Sequence, residues 1–228
     1  MDLAAQRQLL GVTAVGLWLA LVVGGALLLR RRWPEQKEWS RKLVHIGSGA
    51  VVPLAWVFGI DRAIALAAAL TATLLTSLNH RFRLLGAIED VGRPSYGTIA
   101  YGASISLLLA LFWPQQPAAV AAGVLVMALG DGMAGLLGAG FRSPGWNLWG
   151  QRKSLLGTAT MATTSLAVLV GLAACVGTAT GGASPTLSAL VGIALVATLL
   201  EQVAVAGLDN FSVPVVTGLL WSTLSPAA

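Results

Sequence analysis

Asp131 follows an apolar stretch, Ala118 to Leu129, that carries no charge at all. A carboxylate that deep in a membrane helix costs roughly 2.5–3.5 kcal/mol on insertion scales, so a partner must compensate it. Two kinds of partner fit: a cation such as Arg142 or Lys153 that fixes helix packing, or a bound metal ion. At helical spacing the positions three, four and seven residues on are Ala134, Gly135 and Gly138, a face almost bare of side chains. A ligand can approach the backbone there, or a second helix can pack closely. Downstream, Trp149-Gly150-Gln151-Arg152-Lys153-Ser154 enters the next apolar run. Arg152 and Lys153 suit a phosphate, and Ser154 suits the helix N-cap. Glu201 stands late in a further run, and Asp209-Asn210 open the last one, where they suit helix capping or ligand binding. His45 follows Arg41 and Lys42, placed equally for an interfacial hydrogen bond or for proton transfer. With His80 far along the chain, the two histidines form no His-rich metal constellation. Three carboxylates and an amide, gathered with cations, make the set that Mg²⁺ and phosphate chemistry uses: hard oxygens for the metal, cations for the phosphates.

The elements that must position these groups are membrane helices. Hydrophobic residues make up 56% of the 228 and charged residues 10%, where soluble domains have about 45–50% and about 25%. The apolar material divides into eight segments, near residues 10–29, 43–60, 63–78, 97–113, 118–138, 155–178, 186–206 and 210–224. Most have the length a helix needs to cross a hydrocarbon core; the last is short enough to be re-entrant, which would leave seven spans. The expected fold is an all-α polytopic bundle in a single integral membrane domain, 1–228. Residues 1–40 form an N-terminal helix and basic loop ahead of the motif-bearing core. In the first segment the arginines Arg30 to Arg32 follow the apolar run, whereas a cleavable signal carries its charge in front.

Twelve of the fourteen Lys and Arg fall in alternate connections: Arg30, Arg31, Arg32, Lys37, Arg41, Lys42, Arg81, Arg83, Arg93, Arg142, Arg152 and Lys153. Only Arg7 and Arg62 fall on the other side. The positive-inside rule then puts the N-terminus outside and the twelve in the cytoplasm. The net charge of +5 reads as this topology, and no nucleic-acid motif accompanies it. The N-terminal ends of the second, fourth, sixth and eighth helices gather on the same face, and such ends attract anions. Glu89, Asp90, Arg93 and Tyr96 read as a solvated cytoplasmic loop. The lone Cys175 excludes an intrachain disulfide and a Cys-based zinc site.

Three blocks resemble the phytol kinase and dolichol kinase family of membrane polyprenol kinases, above all its cyanobacterial and plastid phytol kinases. They are Arg41-Lys42-Leu43-Val44-His45-Ile46-Gly47; Gly130-Asp131-Gly132-Met133-Ala134 with Gly138, running on to Lys153-Ser154 and Gly157; and Gly207-Leu208-Asp209-Asn210 with Pro214. The sequence departs from the family pattern at Arg142, where a glycine is usual, and at Leu156, where a glutamate is usual, a role that would pass to Glu201 or Asp209. The resemblance implies phosphoryl transfer from CTP or a related nucleotide to the hydroxyl of phytol or a similar isoprenoid alcohol. On that basis Asp131 and Asp209 would hold Mg²⁺. Lys42, Arg152, Lys153, Ser154, Asn210 and the bare face at Gly135 and Gly138 would bind the nucleotide. Glu201 or His45 would orient or deprotonate the alcohol. Two other classes share parts of this pattern: a membrane cytidylyltransferase making a CDP-lipid, and a small ion- or proton-coupled transporter with Asp131 and Glu201 as its sites.

Overall fold

The computed structural model describes residues 2–82, 96–180 and 182–226, with the backbone alone for Ala179 and Thr180. Glu89, Asp90 and Arg93 of the expected cytoplasmic loop, and Arg83 before them, lie outside the described residues. Among the described residues the helices are α1 (Leu3–Arg32), α2 (Lys37–Ser48), α3 (Val51–Phe58), α4 (Arg62–Phe82), α5 (Gly97–Phe112), α6 (Pro117–Leu125), α7 (Gly132–Gly140), α8 (Leu155–Thr180), α9 (Leu187–Val203) and α10 (Asp209–Leu224). A π-helical turn, Val126–Asp131, joins α6 to α7 into one rod. A break at Gly49-Ala50 separates α2 from α3, because Pro53 has no N–H for the Gly49 carbonyl four residues back. Counted as rods, these stretches are the eight segments expected. Four of them, Leu3–Arg32, Arg62–Phe82, Pro117–Gly140 and Leu155–Thr178, are long and apolar enough to cross a membrane.

Burial ranks the rods. The 117–140 rod is the axis of the bundle, with Val120, Val124, Val126 and Met127 fully enclosed. Around it stand α5, α8, α9 and α10, which share the core through Leu108, Leu169, Ile193 and Val213. Helices α1 and α4 are peripheral and turn Leu21, Leu28, Leu74 and Leu75 outward, as helices facing lipid do. The α2–α3 rod is pressed against the π turn: a Cβ on Gly49 would overlap that of Ala128, an approach only glycine permits.

The two ends of the bundle differ. At one, arginine and tryptophan side chains close the helix termini. Arg7 donates to the Val57 carbonyl at 3.1 Å, Arg62 to that of Ala110, and Trp113 Nε1 to that of Ile60 at 2.8 Å. At the other, the chain adds a feature the sequence reading does not contain: an antiparallel hairpin, β1 (Gly145–Leu148) and β2 (Gln151–Ser154), inserted between α7 and α8. Arg152 and Lys153, expected on the approach to a helix, are therefore strand residues. Ser154 caps α8 as expected, its Oγ accepting from the Gly157 N–H at 3.1 Å.

Candidate active site

The hairpin end of the bundle encloses a cavity of about 1050 Å³, walled by the starts of α2, α8 and α10, the ends of α7 and α9, and β2. Lys42, Asp131, Gly135, Gly138, Arg152, Lys153, Ser154, Glu201, Asp209 and Asn210 all line it. His45 does not; it lies behind Asp131, buried in the bundle. Residues separated by up to the length of the chain's core thus meet in one place.

Asp131 ends the π turn, a rare irregularity that occurs often at functional sites. Its compensating cation is neither Arg142 nor Lys153. Lys42, from α2, donates to Asp131 Oδ2 at 2.7 Å and to the Asp131 main-chain carbonyl at 3.1 Å. The ammonium fits because position 135 has no side chain: a Cβ there would lie 2.5 Å from Lys42 Cε. His45 Nε2 stands 3.1 Å from the Met127 carbonyl and 3.3 Å from the same Asp131 Oδ2. Both neighbours are acceptors, so Nε2 carries the ring proton. The π turn is thereby held by α2 at two of its carbonyls. Both cationic and histidine partners fall on Oδ2, and among the described residues no hydrogen bond engages Oδ1.

A second lysine repeats the pattern across the cavity lining. Lys153 donates to Glu201 Oε1 at 2.5 Å and to the Glu201 carbonyl at 2.7 Å. Gln202 Nε2 donates to Glu201 Oε2 at 2.7 Å and to Thr158 Oγ1 at 2.9 Å. Both oxygens of Glu201 are therefore engaged. The carboxylate beside Lys153 comes from α9, while Leu156 donates its N–H to Ser143 Oγ.

Asp209 is different. Among the described residues no cation lies within ion-pair distance of it, and its one bond is from Asn210 Nδ2 at 3.3 Å. It stands just ahead of the apolar run 210–224. Burial, and then the charges of Asp131 and Glu201, push its carboxyl above the usual carboxylate range. Such an acid is improved by a cation. Asn210 is buried and spends its amide locally, donating also to the Gly207 carbonyl at 3.3 Å. Gly138 packs against Ser154 and Gly157, so its bareness serves the α7–α8 approach. Arg152 and Arg142 line the cavity with no carboxylate paired to either among the described residues.

Among the described residues no three His, Cys, Asp or Glu are placed to hold a metal on their own. Asp131 Oδ1 and Asp209 suit Mg²⁺, which is held by one or two carboxylates together with substrate phosphates and water. The features missed by sequence reading are the π turn, the hairpin and Gln202. A two-residue turn ending in glycine at 149–150 is a hairpin signal, although Trp-Gly is not one of the usual pairs. The π turn and Gln202 have no such signal.

The chain is 37% identical over 212 residues to the phytol kinase of Synechocystis sp., an alignment that covers 91% of this chain and 89% of that one. It is 28% identical over 220 residues to a Glycine max protein named "Probable phytol kinase 1, chloroplastic", covering 86% of this chain and 72% of the relative. No family model matches the chain. No solved structure matches it either.

Proposed function

The chain belongs to the phytol kinase family, and from that premise we propose that it transfers the terminal phosphoryl group of CTP, or a related nucleoside triphosphate, to the hydroxyl of phytol or a similar isoprenoid alcohol at the cytoplasmic membrane interface. The observation that carries this reading is the Lys42–Asp131 pair on the cavity wall. The acid is fixed through Oδ2 and its own backbone, and among the described residues no hydrogen bond engages Oδ1. An acid held that rigidly is suited to positioning a ligand.

An isoprenoid chain partitions into the bilayer at about 0.8 kcal/mol per buried CH₂ while the nucleotide stays in water, so the two can meet only near the ends of the helices. The cavity lies at such ends. Asp131 Oδ1 and Asp209 are the residues to hold Mg²⁺, which when bound supplies charge neutralisation on the phosphates. Arg152, exposed and with no carboxylate partner among the described residues, grips phosphate oxygens, and Lys42 and Lys153 keep the acidic wall from repelling them. Glu201 lines the cavity and takes the alcohol proton at Oε2 as the Gln202 amide moves off it. The alcohol oxygen bonds to the terminal phosphorus, the bond from that phosphorus to the leaving diphosphate breaks, and the nucleoside diphosphate departs. His45, which does not line the cavity, holds Asp131 through Nε2–H and is a positioning residue.

The test is transfer of γ-labelled phosphate from CTP to phytol by purified protein with Mg²⁺. Asp131→Asn should lower turnover by at least about 100-fold, equivalent to roughly 2.7 kcal/mol of transition-state stabilisation. Chelation should abolish the reaction and Mg²⁺ restore it. Wild-type turnover in the Asn variant sinks the assignment of Asp131, and a CDP-lipid with pyrophosphate as product identifies a cytidylyltransferase instead.

A further inference from the structure

The hairpin turn is built from the wrong residue for its shape. The register pairs Leu148 with Gln151, which leaves a loop of two residues, Trp149 and Gly150. Their φ angles are 53° and 75°, the doubly left-handed geometry of a type I′ turn. That turn favours Asn-Gly or Asp-Gly, because short polar side chains tolerate the left-handed region and bulky ones avoid it. Gly150 is conventional and Trp149 is not. Bulky residues kept in such a conformation cluster where a ligand is held.

Trp149 is 70% exposed and lines the cavity. Trp146, on the same hairpin and 42% exposed, does not line it, so the two tryptophans serve different surroundings. Phe141 also lines the cavity, but from ordinary extended backbone with φ −124°. Beside Trp149 the wall continues through Gly150, Gln151 and Arg152. A lipid tail has little use for an aromatic face set among such polar neighbours. A planar heterocycle carrying phosphates uses both, since bases stack on aromatic side chains while cations take the phosphates.

We propose that Trp149 is the platform on which the nucleobase of the phosphoryl donor stacks, held over the cavity by the left-handed turn. This rests on the reading of the cavity as a nucleotide site. Equilibrium binding to the purified full-length protein tests it without requiring turnover, with labelled CTP and with tripolyphosphate, which has no base. Trp149→Asn suits the turn better than the native residue, so its thermal midpoint should be unchanged or raised. Its CTP affinity should fall about tenfold while tripolyphosphate binding stays constant, and Trp149→Phe should retain most of the CTP affinity.

The proposal is overturned if Trp149→Asn binds CTP as wild type does, or loses CTP and tripolyphosphate equally, or unfolds at a lower temperature. It is also overturned if only the KM for phytol rises, which would assign Trp149 to the membrane interface. Wild-type protein that binds CTP through Trp149 yet phosphorylates no alcohol supports the platform and refutes the kinase reading.

Discussion

Lys42 and Lys153 each place one ammonium on both the side chain and the main-chain carbonyl of a single acid. This ties a charge to the backbone that carries it, so neither Asp131 nor Glu201 can swing away without freeing its cation, buried at Lys42 and partly buried at Lys153. Removing one member of a buried pair leaves the other uncompensated and typically costs about 3–5 kcal/mol. Lys42→Met should therefore lose activity and unfold at a clearly lower temperature in the same detergent. Arg152→Gln should behave differently, since that side chain is exposed and has no carboxylate partner among the described residues. Its KM for the nucleotide should rise about tenfold, the size of one charge-assisted hydrogen bond, with the unfolding midpoint unchanged. Steady-state kinetics with parallel thermal scans separate the two cases. A destabilised Arg152→Gln would show that this residue is structural.

At the scale of elements, the α2 rod, the π turn and α7 form one unit whose fit depends on missing side chains. Gly135→Ala would put a methyl group 2.5 Å from Lys42 Cε and 2.6 Å from its Nζ. It should displace the ammonium from Asp131, lowering activity together with about 1–3 kcal/mol of stability, the usual cost of overpacking. Gly140→Ala, with nothing within 4 Å, should alter neither. Equal effects of the two substitutions would refute the close-approach account. The long apolar elements were legible in sequence because hydrocarbon thickness fixes their length. Their ends were less so. Helix α2 begins at Lys37, six residues before its apolar segment, since a polar turn can be helical outside the hydrocarbon where hydropathy does not register it. The site residues were legible as types, and all but His45 line one cavity. Their pairing was not legible, because nothing local to Asp131 points to a lysine 89 residues earlier. The hairpin escaped notice because its strands are four residues each and its turn begins with tryptophan.

For the whole molecule, the arrangement of Lys and Arg gives an orientation that labelling can check. The cavity end carries Arg142, Arg152 and Lys153, and the opposite end carries Arg7 and Arg62. In a Cys175→Ala background, Gln115→Cys should react with a membrane-impermeant thiol reagent on intact cells. Arg142→Cys should react only after the membrane is opened. The reverse pattern would place the cavity outside and remove access to cytoplasmic nucleotide.

The two lysine–acid pairs also bear on how such a chain enters a membrane. In each the cation comes first in the sequence, Lys42 by 89 residues and Lys153 by 48. Chains emerge from the ribosome N-terminus first. By the time the segment bearing Asp131 reaches the translocon, its counter-charge already waits at the bilayer surface, and the same holds for Glu201. The insertion cost of an unpaired acid is roughly 2.5–3.5 kcal/mol for a charge at the centre of a lone helix. Reversing the order, with Lys42→Asp and Asp131→Lys together, would preserve the bond in the finished fold but send a buried lysine into the bilayer to find an acid. The order of the pairs thus bears on how each acid enters the bilayer as well as on the contact it keeps in the finished fold.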